Sequence, residues 1–223
     1  MRGPALALSG SNVTGDVPFS CALRLDGVVV EARSPAGARG DLAMLVADLC
    51  AQHAVRPDQV TELRIDLGPG SYTGLRVAVT FVRFLQHFGA VPVLAVGSLA
   101  LLATSVLGVL PRGRRLRPLL DARRGRFHTG LLSHSAAGGL VILEEPRALP
   151  FAEVLAATVA GDLVVLSAAV EAQVGADLRR AGAEIHVASG VAAKDLFLPA
   201  LPFVACASEA LEPRYLMGTY ADD

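Results

Sequence analysis

Apolar residues in the first half of the chain occur in short runs and in helical spacing, and the two patterns alternate. Short apolar runs bounded by turn-forming residues predict strands, whereas apolar residues at i, i+3, i+4 and i+7 predict amphipathic helices. Asp26-Gly27 between two such runs predicts a β-hairpin. The patterns predict strands at Ala5–Ser9, Phe19–Leu25, Val28–Ala32, Glu62–Leu67 and Val91–Val96, with helices at Asp41–His53, at Leu75–Phe88 and after Ser98.

The second half has the same order of elements: three strands, a helix, a strand and a helix. Its predicted strands are Pro118–Asp121, Arg126–Ser133, Leu140–Leu143, Leu163–Ser167 and Glu184–Val187, and its helices are Phe151–Ala160 and Val170–Ala181. The sequence itself does not repeat. We therefore predict two similar α/β lobes, residues 1–110 and 111–223, which is typical of the actin-like, ribonuclease-H-like (ASKHA) architecture.

Composition and charge narrow the range of functions. The net charge of -1 disfavours a chain whose main activity is autonomous binding of nucleic acid. Cys21, Cys50 and Cys206 are far apart and form no CxxC pair, which favours a reducing cytoplasm. The apolar stretch Leu99–Leu110 is too short for a membrane span and predicts a buried helix instead. The N-terminus lacks the apolar segment of a signal peptide.

A glycine-rich segment between a predicted strand and a predicted helix is the most informative part of the sequence. It lacks the GK[ST] of a P-loop and the GxSxG of a nucleophile elbow. Two interpretations remain open: a structural turn, with Ser71 or Thr73 capping the helix, or an anion-binding site at the helix N-terminus. The segment consists of Gly68, Pro69, Gly70, Ser71, Tyr72, Thr73, Gly74, Leu75 and Arg76.

This segment closely resembles the GPGSFTGLR signature of TsaB proteins, with Tyr72 in place of Phe. Two further segments are similar to that family: residues 118–127, which match its strand–DAR–turn–strand, and Pro213-Arg214-Tyr215-Leu216, which matches its P-x-Y-L ending. The resemblance implies a non-catalytic partner of a TsaD-type enzyme, which makes N6-threonylcarbamoyladenosine (t6A) in tRNA. It also implies pairing through helices of the N-terminal lobe.

The resemblance further implies a TsaE-type ATPase as a third component, with tRNA contact only through the complex. We also expect homodimers through the same helices when the partner is absent, and neither a cofactor nor a membrane association. Two departures mark a divergent member. Ser9 ends the first predicted strand where the family usually has Asp, and Arg39-Gly40-Asp41 replaces the family's His-Ser-Glu. These departures leave open an altered partner or role.

The distribution of acidic residues argues against catalysis. A phosphotransferase of this architecture needs paired carboxylates around Mg-nucleotide, and Ser9 occupies the first-lobe position. Asp121, with Arg123 and Arg124, either caps a turn or forms a residual nucleotide site. The five histidines show no HxxxH or HExxH spacing, so we predict no metal and no catalytic residue. The enzyme alternative is an ATP-dependent phosphotransferase that uses Asp121 and the Gly68–Gly74 loop.

The first two predicted helices are apolar around most of their circumference. One sheet face cannot bury that much surface, so we predict a protein–protein interface, with burial inside the same chain as the alternative. The residues predicted for this interface are Leu42, Met44, Leu45, Leu49, Val79, Val82 and Phe84.

Seven arginines lie close together in the middle of the chain. They are interpreted either as a solvated linker and turn or as a contact for the RNA backbone. The second interpretation makes the chain an RNA-contacting subunit. The residues are Arg112, Arg114, Arg115, Arg117, Arg123, Arg124 and Arg126.

Overall fold

A computed structural model describes residues 3–12, 17–35, 41–108 and 111–216. Its strands are β1 (Ala5–Ser9), β2 (Ser20–Leu25), β3 (Val28–Arg33), β4 (Glu62–Asp66), β5 (Val93–Val96), β6 (Arg115–Asp121), β7 (Arg126–His134), β8 (Leu140–Pro150), β9 (Leu163–Ser167), β10 (Glu184–Ala188) and β11 (Val204–Cys206). Its α-helices are α1 (Leu42–Gln52), α2 (Tyr72–Gly89), α3 (Ser98–Ala103), α4 (Phe151–Ala157) and α5 (Ala168–Arg180).

The chain forms two compact units. Unit 1 contains Met1–Gly97, Val191–Leu198 and Phe203–Arg214, and unit 2 contains the remaining residues. This division differs from the predicted ranges 1–110 and 111–223. α3 packs on β6 and thus belongs to unit 2, while two segments from the last part of the chain return to unit 1. Hydrophobic spacing cannot reveal such returns, because they depend on contacts between distant residues.

Unit 1 is built on a six-stranded sheet in the order β11-β5-β4-β1-β2-β3. β1, β4 and β5 are parallel, whereas β2, β3 and β11 each run antiparallel to a neighbour. Side chains that alternate along a strand face opposite sides of the sheet. Leu6, Leu63 and Ile65 therefore lie on one face of the sheet. There they form a single hydrophobic core with Val46 of α1 and Val82 of α2.

Unit 2 is built on a five-stranded sheet in the order β10-β9-β6-β7-β8. Here β6, β9 and β10 are parallel, and the β6-β7-β8 meander is antiparallel. Leu119, Phe127 and Leu166 from the sheet pack with Val154 of α4 and Val170 of α5. Every residue of α3 is buried, but the helix predicted for Leu99–Leu110 ends at Ala103, and Ser105 beyond it is exposed.

The order of the predicted elements is confirmed, and the structure differs at the ends of some elements and by one additional strand. β8 extends to Pro150 rather than Leu143, because an edge strand tolerates Pro146 and the charged Glu144 and Glu145. α4 ends at Ala157 rather than Ala160, where the Thr158 hydroxyl donates to the carbonyl of Val154. β11 was not predicted from the sequence.

Candidate functional site

The glycine-rich segment connects β4 to α2 and forms the N-terminal cap of that helix. The Ser71 hydroxyl oxygen accepts a hydrogen bond from the Gly74 N–H at 3.2 Å. The Ser71 N–H donates to the Ser11 carbonyl at 3.0 Å. Protein groups therefore occupy the cap position of α2, which supports the structural interpretation of this segment over an anion site.

Two glycines of the segment allow it to pack directly on the backbone that follows β1. A Cβ atom at Gly70 would collide with the carbonyl oxygen of Ser11, and one at Gly74 with that of Gly10. Only glycine permits so close an approach of two backbones. The glycine-rich segment thus packs the start of α2 against the end of β1.

The polar side chains of the motif lie on the exposed side of α2. The Arg76 guanidinium donates to the Tyr72 hydroxyl at 2.7 Å and lies 5.2 Å from the centre of its ring. Tyr72, Thr73 and Arg76 are all exposed. They belong to the surface of α2 and do not line an internal pocket.

The end of β1 has no exposed carboxylate. Ser9 is 1% exposed, and its hydroxyl has no hydrogen-bond partner among the described residues. Asp66, at the end of the parallel neighbour β4, was not singled out from the sequence. It is fully buried and thus offers no oxygen at the surface for a charged ligand.

Asp121 acts as a turn residue at the end of β6. Its Oδ1 accepts a hydrogen bond from the Arg123 N–H at 2.7 Å. Arg123 and Arg124 both have positive φ, 66° and 52°, in the turn that leads into β7. This geometry supports the turn-capping interpretation of Asp121.

The seven arginines do not form one basic surface. Arg114 pairs with Glu184, Arg115 with Asp162, and the buried Arg117 with Glu144 and Asp162, while Arg126 donates to the Ala148 carbonyl. Arg112 is exposed before β6, whereas Arg123 and Arg124 are exposed after it. A seven-residue strand separates the two ends by about 23 Å. The structure therefore gives little support to a continuous RNA-binding patch.

Four of the residues predicted for the interface lie in the core of unit 1. Leu42, Leu49, Val79 and Val82 are buried under α1 and α2, so that part of the interface prediction is corrected. The physical reason is that both helices pack on the same sheet layer and present these positions to it. Leu45 is partly buried against the same core.

Large apolar side chains nevertheless remain exposed on these two helices. Met44 on α1 is 58% exposed, and Phe84 and Phe88 on α2 are 58% and 73% exposed. The Phe84 and Phe88 rings lie 4.7 Å apart, centre to centre. We name the exposed face of α1 and α2 the α1–α2 surface. Surface of this kind on paired helices is characteristic of protein interfaces.

An open groove of about 570 Å³ runs between the two helices. The groove was not predicted from the sequence, and Phe88 was not among the residues predicted for the interface. Its spacing of i, i+4 from Phe84 already places both rings on one apolar stripe of the helix. The groove is lined by Leu6, Ala43, Val46, Ala47, Cys50, Pro57, Asp58, Val60, Leu63, Phe81, Phe84, Leu85, Phe88, Gly89 and Val91.

Burial controls the ionisation of the two thiols near this groove. It raises the pKa of Cys21 to about 12, with a smaller contribution in the same direction from Cys50. Burial also raises the pKa of Cys50, which lines the groove. Both side chains are therefore protonated at neutral pH and serve as small apolar residues there.

The divergent residues before α1 are only partly within the described ranges. Arg39 and Gly40 lie outside the described residues. Asp41 caps α1, since its Oδ1 accepts a hydrogen bond from the Met44 N–H at 3.1 Å.

Across the described ranges, no three His, Cys, Asp or Glu side chains are grouped so that they could hold a metal ion. Nor does any helix of that part of the chain have the length and apolar character to cross a membrane.

Known structures share this fold. YeaZ from Pseudomonas aeruginosa matches 96% of this chain and 100% of its own, with a TM-score of 0.78 and 24% sequence identity. A crystal structure described as an uncharacterized protein with similarity to peptidase YEAZ from Pseudomonas aeruginosa matches 97% of this chain and 100% of its own, with a TM-score of 0.76 and 23% identity. These matches confirm the two-lobe, actin-like fold.

Sequence comparison identifies the family. The tRNA threonylcarbamoyladenosine biosynthesis protein TsaB of Bacillus subtilis (strain 168) is 37% identical over 82 residues, which cover 35% of this chain and 33% of that protein. The similarity thus spans about a third of the curated relative. A family model described as TsaD, tRNA N6-adenosine threonylcarbamoyltransferase, matches residues 38–194, more than half of the chain. The chain therefore belongs to the family that this model describes, and within that family it is a divergent member of the TsaB/YeaZ group.

Proposed function

We propose that the chain is a non-catalytic subunit that binds a TsaD-type enzyme through the α1–α2 surface and thereby supports t6A synthesis in tRNA. The exposure of Phe84 and Phe88 beside the groove is the observation that carries this proposal. Aromatic side chains next to apolar pockets contribute most to the free energy of many interfaces. An unpartnered surface of this kind needs another protein to cover it.

The composition of the surface fits a helical partner. The groove is apolar along most of its length and is bordered by two helices, so it would accept large apolar side chains from a partner helix. Asp58 also lines the groove, and Arg56 holds it in a bidentate ion pair with distances of 3.0 and 2.7 Å. This part of the lining is polar and its charges are balanced, as is usual at the polar margin of an apolar interface.

The site geometry favours a supporting role over a catalytic one. Mg-nucleotide sites usually combine accessible carboxylates with N–H groups at a helix N-terminus that can bind phosphate. In this chain the end of β1 presents the buried Ser9, and the cap of α2 is bonded to Ser11. The reaction chemistry in this proposal belongs to the TsaD-type enzyme, with a TsaE-type ATPase as the third component. tRNA is contacted only through this complex, in the cytoplasm.

The test measures binding of the purified chain to the TsaD-type enzyme of the same organism by calorimetry. Phe84→Ser and Phe88→Ser are compared with Val159→Ser, which removes an apolar side chain of unit 2 that is 53% exposed. We expect the Phe variants to raise the Kd about 30-fold or more, and the Val159 variant to bind like the parent chain.

A reconstituted reaction with the TsaD-type enzyme, the TsaE-type ATPase, tRNA, ATP and a threonylcarbamoyl adenylate as the group donor provides the functional measurement. Formation of t6A should require the chain and should fall in the two Phe variants. Absence of any complex between the parent chain and the TsaD-type enzyme would refute the proposal, as would full binding by both Phe variants.

A further inference from the structure

One edge of the sheet in unit 1 has main-chain groups without partners. β3 is the last strand of that sheet, so β2 alone pairs with it. The Ser34 N–H donates to the Phe19 carbonyl at 2.9 Å, which fixes the phase of the ladder. In an antiparallel pair, every second residue directs its N–H and C=O away from the neighbouring strand. Val29, Glu31 and Arg33 therefore direct both groups outward, and these groups bond to no residue that the structure describes. We name this row of groups the β3 edge.

The β3 edge lacks the protection that an edge strand of unit 2 has. At β8 the Leu140 N–H donates to the Ala200 carbonyl, and Pro146 has no N–H to offer. The pairing of β8 with β7 also contains register shifts. β3 has neither a proline nor a register shift. Proteins usually protect their edge strands by such features, because an unprotected edge pairs with other chains. The β3 edge is thus open to pairing with a further strand.

The side chains of β3 form an apolar end and a charged end. Val28 and Val29 are 64% and 38% exposed, and as neighbours in a strand they face opposite sides of the sheet. At the other end, the Arg33 guanidinium donates to the Glu31 carboxylate at 2.9 Å. The second oxygen of that carboxylate accepts from the Lys194 N–H at 3.2 Å. These bonds hold both charges on one face of the sheet, so neither blocks the edge itself.

The spacing of the outward groups selects the shape of the occupant. They recur at every second residue, or about every 6.6–6.8 Å, which is the repeat of another β-strand. A helix does not match this repeat, since it rises 1.5 Å per residue and uses its own N–H groups internally. We infer that the β3 edge binds an extended segment of a partner protein, which adds an antiparallel seventh strand to the six-stranded sheet of unit 1.

The charges of β3 define the sequence of the partner segment. In antiparallel pairing the segment begins opposite Arg33 and ends opposite Val28. An acidic residue opposite Arg33 and a basic residue opposite Glu31 form cross-strand ion pairs on one face. The residues that follow, opposite the three valines, are β-branched. The segment therefore reads acid-x-base and then β-branched residues. The β3 edge includes no residue of the α1–α2 surface, so this inference goes beyond the proposed function and does not depend on it.

A synthetic peptide tests the pairing. The probe is fluorescein-Gly-Glu-Val-Arg-Val-Thr-Val-amide, and its binding is measured by fluorescence anisotropy. In the inferred register its Glu, Arg and Thr direct their N–H groups to β3, and its three Val residues direct theirs away. N-methylation of the Glu, Arg and Thr should weaken binding at least about tenfold, because three hydrogen bonds are lost. N-methylation of the three Val residues is the matched control and should leave the affinity within about threefold.

A proline variant of the chain tests the same bonds from the other side. Val29→Pro removes one outward N–H and leaves the bonds to β2 in place, since an edge strand tolerates proline at such a position. It should bind the probe at least about fivefold more weakly than the parent chain. Val29→Thr keeps the N–H and the β-branched shape, so it should bind like the parent. Thermal unfolding shows that both variants fold. Phe84→Ser, on the α1–α2 surface, should also bind the probe like the parent.

Amide hydrogen exchange locates the bound peptide. With saturating probe, the N–H groups of Val29, Glu31 and Arg33 should exchange at least about tenfold more slowly, because they acquire acceptors. The alternate residues of β3 already bond to β2 and should change little. No binding at about 1 mM probe would overturn the inference, as would equal affinities of the two methylated peptides or protection elsewhere than β3.

Protection of these three amides that rises with protein concentration in the absence of the probe would also overturn the inference, in favour of a second copy of this chain at the edge. The two proposals fail separately. A chain that binds the TsaD-type enzyme and not the probe loses the β3 edge as a binding site and keeps the proposed function. A chain that binds the probe in the expected register and not the enzyme does the reverse.

Discussion

The side-chain amide of Asn12 forms two hydrogen bonds with the backbone of Val191, which lies 179 positions further along the chain. Its Nδ2 donates to the Val191 carbonyl at 3.1 Å, and its Oδ1 accepts from the Val191 N–H at 3.0 Å. The side chain thus imitates the pairing of one strand residue with another. The Ser20 hydroxyl oxygen holds the same returning segment by accepting from the Ala193 N–H at 2.9 Å.

Replacing Asn12 by Ala should therefore loosen the returning segment 191–198. We expect a loss of about 1–3 kcal/mol in the free energy of unfolding of unit 1, because two backbone groups lose their partners. Hydrogen exchange should accelerate at the amides of this segment. Gln52→Ala, at an exposed position of α1, is the control and should change neither property. Unchanged exchange in Asn12→Ala would contradict the role assigned to this amide.

Replacing Gly74 by Ala should strain the junction between β1 and α2. The new methyl group would meet the Gly10 carbonyl, so the two backbones must move apart, at a cost of about 2 kcal/mol or more. Gly108→Ala is a matched control, because a Cβ there meets nothing within 4 Å. Urea denaturation measures both changes as shifts of the midpoint. Equal midpoints for the two variants would show that the close approach is not required.

Truncation of a core position of α2 should cost far more stability than truncation of an exposed position. Val82 is 0% exposed, and Val82→Ala should lower the free energy of unfolding by about 2 kcal/mol through the cavity that it leaves. Phe88→Ala removes a largely exposed ring and should change stability by no more than about 0.5 kcal/mol. Thermal unfolding of the isolated chain distinguishes the two. A large loss of stability in Phe88→Ala would mean that this ring belongs to the fold.

His128 should make the stability of unit 2 depend on pH. Burial lowers the pKa of His128 from 6.5 to about 4, and the charge of Asp121 opposes this effect only in part. Between these two values the unfolded chain binds the proton and the folded chain does not, so the free energy of unfolding decreases as pH falls through this window. The decrease amounts to about 3 kcal/mol at most.

Denaturation at a series of pH values from 7 to 4 measures this decrease, and His128→Gln should remove most of it, since Gln does not titrate there. His53→Gln, at an exposed position, should leave the pH dependence of the parent chain unchanged. A decrease of equal size in parent and His128→Gln would assign the effect to other groups.

Local pattern was sufficient to predict most elements of the fold. β1 and β9 begin and end where the apolar runs predict, because Pro4 and Gly10 flank β1, while Asp162 precedes β9 and Ser167 caps the helix that follows it. β8 and β11 were shortened or missed, since their pairing depends on neighbours far away in the sequence. A strand of three residues such as β11 has too little periodicity to be recognised.

The site was predicted less completely than the fold, for a related reason. Spacing along α2 shows that the helix is apolar almost all round, but it does not show which positions face the sheet. Val82 was therefore placed in an interface, although it lies in the core, and Phe88 was left out. Likewise, proximity in the sequence grouped seven arginines, although ion pairs with Glu184, Asp162 and Glu144 neutralise three of them.

The return of two late segments to unit 1 determines when each unit can be completed during synthesis. Residues 98–190, which supply the whole sheet of unit 2, leave the ribosome before the segment that contains Val204–Cys206. Until then the N-terminal sheet lacks its last strand, and the edge of β5 has no partner. The second unit along the chain can therefore fold first, and the nascent first unit has an unpaired strand edge of the kind that promotes aggregation.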